Sequence, residues 1–138
     1  MTASKKIIFS GLVAGLILLV LSVIGLYGTV WLFPTLAVQY FAPTFDRQSE
    51  RAILYFAHPF VVGLALAWFW DRCKPLLKGS FLGKGIEFGL LYWLVAIFPM
   101  MWLIYSTIDV SLTLVGSWLV FGLLQGVAAG FVFEKMNA

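Results

Sequence analysis

The sequence predicts an all-α integral membrane protein, a four-helix transmembrane bundle, and three observations predict it. Hydrophobic residues make up 62% of the 138 and charged residues only 11%, whereas a soluble domain is roughly a quarter charged. The apolar residues gather into four runs, at about 7–33, 52–70, 86–107 and 110–133, and the one Asp, Glu, Lys or Arg within them is Glu87 near the start of the third. Each run is close to or beyond the roughly 20 residues that carry a helix across about 30 Å of hydrocarbon. Lastly, the runs lack the alternation of polar and apolar residues that a membrane barrel needs. Helices and closed barrels are the only forms that satisfy their own backbone in lipid, so helices remain.

The first span follows Lys5 and Lys6. Its apolar core is far longer than that of a secretory signal and lacks a small-x-small cleavage pattern, so it is expected to stay attached. Pro34 is read as its end. The stretch "FAPTFDRQSER" then leads into the second span, with Thr44 or Asp46 able to cap it. The loop 71–85, "CKPLLKGSFLGKG" in its main part, mixes Leu76, Leu77, Phe81 and Leu82 with lysines, which suits a segment lying at the membrane surface. Glu87 opens the third span, where it complements the helix dipole beside Lys84, and Pro99 is expected to kink it. Asp109 is the expected cap of the fourth.

Charge sets an expected orientation. Lys5, Lys6, Arg72, Lys74, Lys78, Lys84 and Lys135 fall on one side and Arg47 and Arg51 on the other. Basic residues near span ends are retained in the cytoplasm, so both termini and the 71–85 loop are assigned there and the location to a bacterial inner membrane, crossed several times. The net charge of +3 lies at these juxtamembrane positions, and no separate basic domain exists to bind nucleic acid.

The ends of the second and fourth spans resemble each other: "GLALAWFWDR" from Gly63 aligns with "GVAAGFVFEK" from Gly126. A weaker match pairs Tyr27 with Tyr92 and Phe33-Pro34 with Phe98-Pro99. Together they suggest two tandem parallel helical hairpins. The plainer alternative is a shared way of ending a membrane helix, aromatic rings followed by a charge pair.

Gly122, Gly126 and Gly130 recur every fourth residue, a helical groove without side chains. In lipid, apolar area gives no drive for association, and close backbone approach through small residues supplies much of it. Gly11 and Gly15 on the first span offer a matching face, and Gln125 is expected to bond across to a neighbouring helix.

Polar groups at depth are costly. His58, the single histidine, lies in the outer part of the second span beside Pro59, which leaves the Tyr55 carbonyl without its usual partner. Thr113 and Ser117 reach similar depth on the fourth span. His58, Thr113, Ser117, Tyr55 and Thr29 could line a small polar cavity open to ligand or protons; the plainer reading is a satisfied interhelical hydrogen bond beside a proline kink. His58 would hold a metal only as a haem ligand, which needs a second histidine from a symmetric dimer or Met100 or Met101. No other metal site and no cofactor is expected.

Enzyme chemistry is not expected either. The sequence has no paired intramembrane acids and no phosphate-binding glycine loop, and Cys73 is placed at the opposite membrane face from His58. A single cysteine also excludes a disulfide within the chain.

The segment from Gly83 to Lys135, "GKGIEFGLLYWLVAIFPMMWLIYSTIDVSLTLVGSWLVFGLLQGVAAGFVFEK", carries a Gly-Lys-Gly opening, a central proline and a glycine-lined last helix. In these it resembles small uncharacterised four-helix inner-membrane proteins of bacteria. The resemblance implies the topology and brings no activity with it. The expected function is therefore that of a non-catalytic accessory subunit or self-associating bundle, with the lipid bilayer and either a second copy or other membrane subunits as partners. A minimal transporter or channel with a polar cavity near His58, and a haem-binding redox subunit, are the alternatives.

Overall fold

A computed structural model describes residues 2–40, 49–136 and 138. Among these the regular structure is all helix: α1 (Ala3–Leu32), α2 (Pro34–Tyr40), α3 (Ser49–Cys73), α4 (Phe81–Tyr92), a π turn (Trp93–Ile97), α5 (Phe98–Thr107) and α6 (Leu112–Lys135). α4, the π turn and α5 are continuous, and Phe81–Thr107 joins α1, Ala52–Cys73 and α6 as four helices long and apolar enough to cross a membrane. The protein is an all-α, four-helix membrane bundle. The expected caps Thr44 and Asp46, and Arg47, lie outside the described residues.

Local chemistry shifts several boundaries from those read in sequence. The Ser80 hydroxyl accepts from the Gly83 N–H at 3.2 Å, so the third span starts at Phe81 rather than Ile86. Gly79, at a φ of 106°, makes the turn just before this cap in the left-handed region that glycine enters without strain. Because α3 also runs on to Cys73, the expected loop 71–85 shrinks to 74–80. Ser111, not Asp109, caps α6: its extended backbone sets its hydroxyl 3.1 Å from the Leu114 N–H, the third residue of the helix. Glu87 falls in the second turn of α4 and is exposed, beyond the terminal N–H groups it was expected to complement. Lys84 instead reaches across to Glu134 at 3.1 Å.

Both prolines have structural consequences. Pro34 ends α1 and also starts α2, taking the first helical position, where its missing N–H is no loss. α2 was not foreseen; it tucks Leu36 and Ala37 into the bundle, and the Ser111 hydroxyl bonds Gln39 Oε1 from the start of α6. Pro99 cannot donate to the Val95 carbonyl one turn earlier, and the chain just before it widens into the π turn, where the Phe98 N–H returns to the Trp93 carbonyl. The expected kink is thus a π insertion. It sets the Trp93 indole N–H against the Leu119 carbonyl of α6 at 2.8 Å. Trp93→Phe should remove about 0.6–1 kcal/mol of stability, measured by unfolding in mixed detergent micelles.

The glycines build the bundle as two close pairs. On α1, a Cβ at Gly11 would fall 2.9 Å from Leu64 Cα and one at Gly15 would fall 2.8 Å from Phe60 Cα, both on α3. A Cβ at Gly63 would lie 2.6 Å from the Gly15 nitrogen. The second pair is alike: Gly130 lies against the Gly85 backbone, Gly126 against Gly89, and Gly122 against Ile97. Gly11 and Gly15 therefore grip α3, while the Gly122, Gly126 and Gly130 row grips α4 and the π turn through Gly85 and Gly89, which sequence reading did not single out. Each hairpin closes on glycines four apart in its first helix, Gly11 and Gly15 against Gly63, Leu64 and Phe60 in one and Gly85 and Gly89 against Gly130 and Gly126 in the other. Tyr92 lies one turn past Gly89 and Tyr27 three turns past Gly15, so the two tyrosines stand at different distances from their glycines.

Aromatic rings join the two hairpins. Phe88 and Phe133 are both fully buried, and Trp70 of α3 lies with its centroid 5.2 Å from Phe88 and 5.8 Å from Phe133. Ala14, Leu66, Ala67 and Ala129 complete this core. It sits at the end of the bundle where both ends of the chain meet: the Trp70 indole donates to the Ala138 main-chain oxygen at 3.0 Å.

Candidate functional site

The hydroxyl groups placed in the membrane are satisfied by their own helices. Thr29 donates to the Gly25 carbonyl at 2.8 Å, Ser22 to Leu18 at 2.9 Å and Ser117 to Leu114 at 2.6 Å. Ser10, which sequence reading passed over, is buried and donates to the Lys6 carbonyl at 2.7 Å. Back-bonding of this kind removes the cost of a hydroxyl in lipid without a second helix.

Two of the candidate cavity residues are level. Gly25 of α1 lies against Phe121 of α6, and these helices run antiparallel, so Thr29 and Ser117, one turn farther along each, share a depth. Space is open beside this pair, since a Cβ at either Gly28 or Gly116 would meet nothing within 4 Å. His58 and Tyr55 stand elsewhere. Residues 53–58 of α3 are all exposed and only Pro59 turns inward. Thr113 is exposed near the start of α6.

That exposure belongs to a wider pattern. Away from the chain termini the bundle carries large rings on its outer surface: Tyr27, Trp31, Tyr55, Phe56, Trp102 and Tyr105 are each at least half exposed. The third span is the least covered, with 11% of its most apolar window buried against 33% for the fourth. The reason lies in the glycines. The closest contacts of α1 with α3, at Gly11, Gly15 and Gly63, and of α4 with α6, at Gly85 and Gly130, are nearer the terminal end, and the far halves are held by fewer of them.

Histidine is the polar group that stands out on this surface. An imidazole on an exposed turn carries two ring nitrogens, and lipid offers neither of them a partner. The sulfur ligands considered for haem lie on α5, with Met100 exposed and Met101 half-buried. Among the described residues no three His, Cys, Asp or Glu side chains gather as a metal site. Gln125 is buried on α6, about a quarter turn around the helix from Gly126.

Fold and surface together define a class: a small membrane bundle of two glycine-closed hairpins with aromatic rings and one histidine on its exposed surface. Compared with protein-family models, with curated proteins and with solved structures, the chain matches none.

Proposed function

We propose that this protein is a non-catalytic membrane subunit that acts by association, either as an accessory chain of a larger complex or by pairing with itself. The docking face is the exposed start of α3, centred on His58 and Tyr55, in an inner membrane with both termini in the cytoplasm. The observation that carries this reading is the exposure of His58 on a turn where lipid offers no hydrogen-bond partner. The aromatic rings around it are the side chains that most often anchor contacts between proteins.

Affinity purification from native membrane, followed by a detergent-corrected mass, tests it. A stoichiometric partner or a mass of two or more chains is expected, and His58→Phe should weaken that association by about 1 kcal/mol while leaving the thermal stability of the single bundle unchanged. A single chain recovered alone in mild detergent would refute the reading. Orientation is tested in the same membranes: thiol reagents that cannot cross the bilayer should reach a cysteine at Asp46 and one at Lys78 from opposite sides.

A second reading, a minimal transporter, draws on the open space beside Gly28 and Gly116, level with Thr29 and Ser117, and on the π turn before Pro99, since interrupted helices commonly border transport paths. Stabilisation by a small ligand that persists in His58→Phe and is lost in Gly116→Leu would favour it over association.

A further inference from the structure

Close pairing within each hairpin leaves a gap between them. α1 is drawn to α3 by Gly11 and Gly15 and α6 to α4 by Gly126 and Gly130, and at the terminal end a groove lies between α1 and α6 beside the aromatic core. Two hollows of about 250 and about 340 Å³ lie in this gap and share Met136. On the α1 wall the lining residues are Lys6, Phe9, Ser10, Val13 and Ile17, a single helical stripe. Eleven residues of helix give it a length of roughly 16 Å. The facing wall is the end of α6, from Phe131 to Met136, with Phe81 of α4 stacked on Phe131 at 5.4 Å.

The groove is polar at one end only. Lys6 lines the first hollow and Lys135 the second, both near the side where the chain leaves the membrane, and the rest of the lining is apolar apart from Ser10, whose hydroxyl is already bound to its own helix, and the Ala138 main-chain oxygen, which accepts from Trp70 and Lys74. The acids of this end are engaged by other lysines, Asp71 with Lys74 at 2.9 Å and Glu134 with Lys84 at 3.1 Å. They leave this end of the groove cationic. A membrane component that presents a negative group at headgroup level and an alkyl chain below it matches this sequence of surfaces in charge and in direction.

We propose that the groove between α1 and α6 is a binding site for one anionic phospholipid. Lys6 and Lys135 hold the phosphate, and one acyl chain lies along Val13, Ile17 and Val132. The lipid acts as a wedge that joins the two hairpins where no glycine pair does so.

Native mass spectrometry of the full chain in neutral detergent, titrated with phosphatidylglycerol, phosphatidylcholine and glycerol 3-phosphate, tests the proposal, with thermal unfolding followed in parallel. Phosphatidylglycerol should add as a single retained copy and raise the unfolding temperature. Phosphatidylcholine should bind weakly, and glycerol 3-phosphate, which has the headgroup charge without chains, should neither bind nor stabilise. In the double variant Lys6→Gln, Lys135→Gln the apparent affinity should fall roughly thirtyfold, as expected for two lysines at a membrane surface, while Lys78→Gln, at the same end but off the groove, keeps it. Equal binding of the neutral and anionic lipids would overturn the site, and so would an equal loss in Lys78→Gln or stabilisation by glycerol 3-phosphate alone. Should the double variant unfold in detergent, the single variants Lys6→Gln and Lys135→Gln decide: each must lose part of the phosphatidylglycerol affinity, and retention in both refutes the assignment.

Discussion

Gly63→Ala should lower the free energy of unfolding by about 2–3 kcal/mol, at the upper end of what a single overpacked methyl costs. The added carbon would stand 2.4 Å from the Gly11 carbonyl oxygen and 2.6 Å from the Gly15 nitrogen. Both are backbone atoms, which cannot turn aside as a side-chain tip can, so α1 and α3 must move apart along their whole close-packed stretch. In lipid this loses the dispersion contacts that hold the pair, and no hydrophobic area term compensates. Gly28→Ala is the matched control, since a Cβ there meets nothing within 4 Å and alanine is the better helix former. Its stability should be unchanged or slightly higher. Thermal unfolding in mixed micelles compares the two, and equal losses would refute the glycine interface. Gly126→Leu extends the test to the other hairpin and should destabilise more than a leucine on the lipid-facing side of α6.

Phe88→Ala should cost about 3 kcal/mol, within the range for truncating a fully buried ring. Phe88 is touched by Phe69 and Trp70 of α3 and by Phe133 of α6, with centroids 5.5, 5.2 and 6.0 Å away. With Phe133 it is one of the rings through which one hairpin meets the other. The consequence differs in kind from that at Gly63. Each glycine-closed hairpin keeps its own contacts, so disulfide trapping of α1 to α3 and of α4 to α6 should still succeed in Phe88→Ala while trapping of α3 to α6 weakens. Loss of all three together would mean that the core ring, not the glycine pairs, holds the hairpins closed.

Much of the architecture was legible because membrane crossing depends on local composition. Uncharged runs of sufficient length are the condition for a spanning helix, and Leu, Ile, Phe and Val supply it at 7–33 whatever the rest of the chain does. The row Gly122, Gly126, Gly130 was equally readable as a close-packing face, since a spacing of four aligns residues on any helix. Short-range competition among caps was harder to read. Asp109 and Ser111 are both good caps, and the extended backbone at Ser111 decides between them.

For the candidate polar residues, depth could be read from position in the chain but direction could not. His58 and Ser117 were assigned to one level of the membrane, yet the Ser117 hydroxyl turns to the Leu114 carbonyl of its own helix and His58 lies on the exposed face of α3. Rotation of a helix about its axis leaves its composition unchanged and follows from which neighbour it meets. Lys6 and Lys135, likewise, read as two topology signals in sequence and line the two hollows of one groove in space.

By itself the amino-acid sequence determined that four helices cross a bilayer, roughly where each begins and ends, and which residues permit a close approach. Only the tertiary structure decided that Gly11 and Gly15 meet Gly63 while Gly126 and Gly130 meet Gly89 and Gly85, that Pro99 follows a π turn, and that the far half of the second span stands uncovered. The physical reason is that lipid rewards every apolar helix alike for entering the membrane, whereas the choice of neighbour depends on complementary shape between two surfaces that lie far apart in the chain.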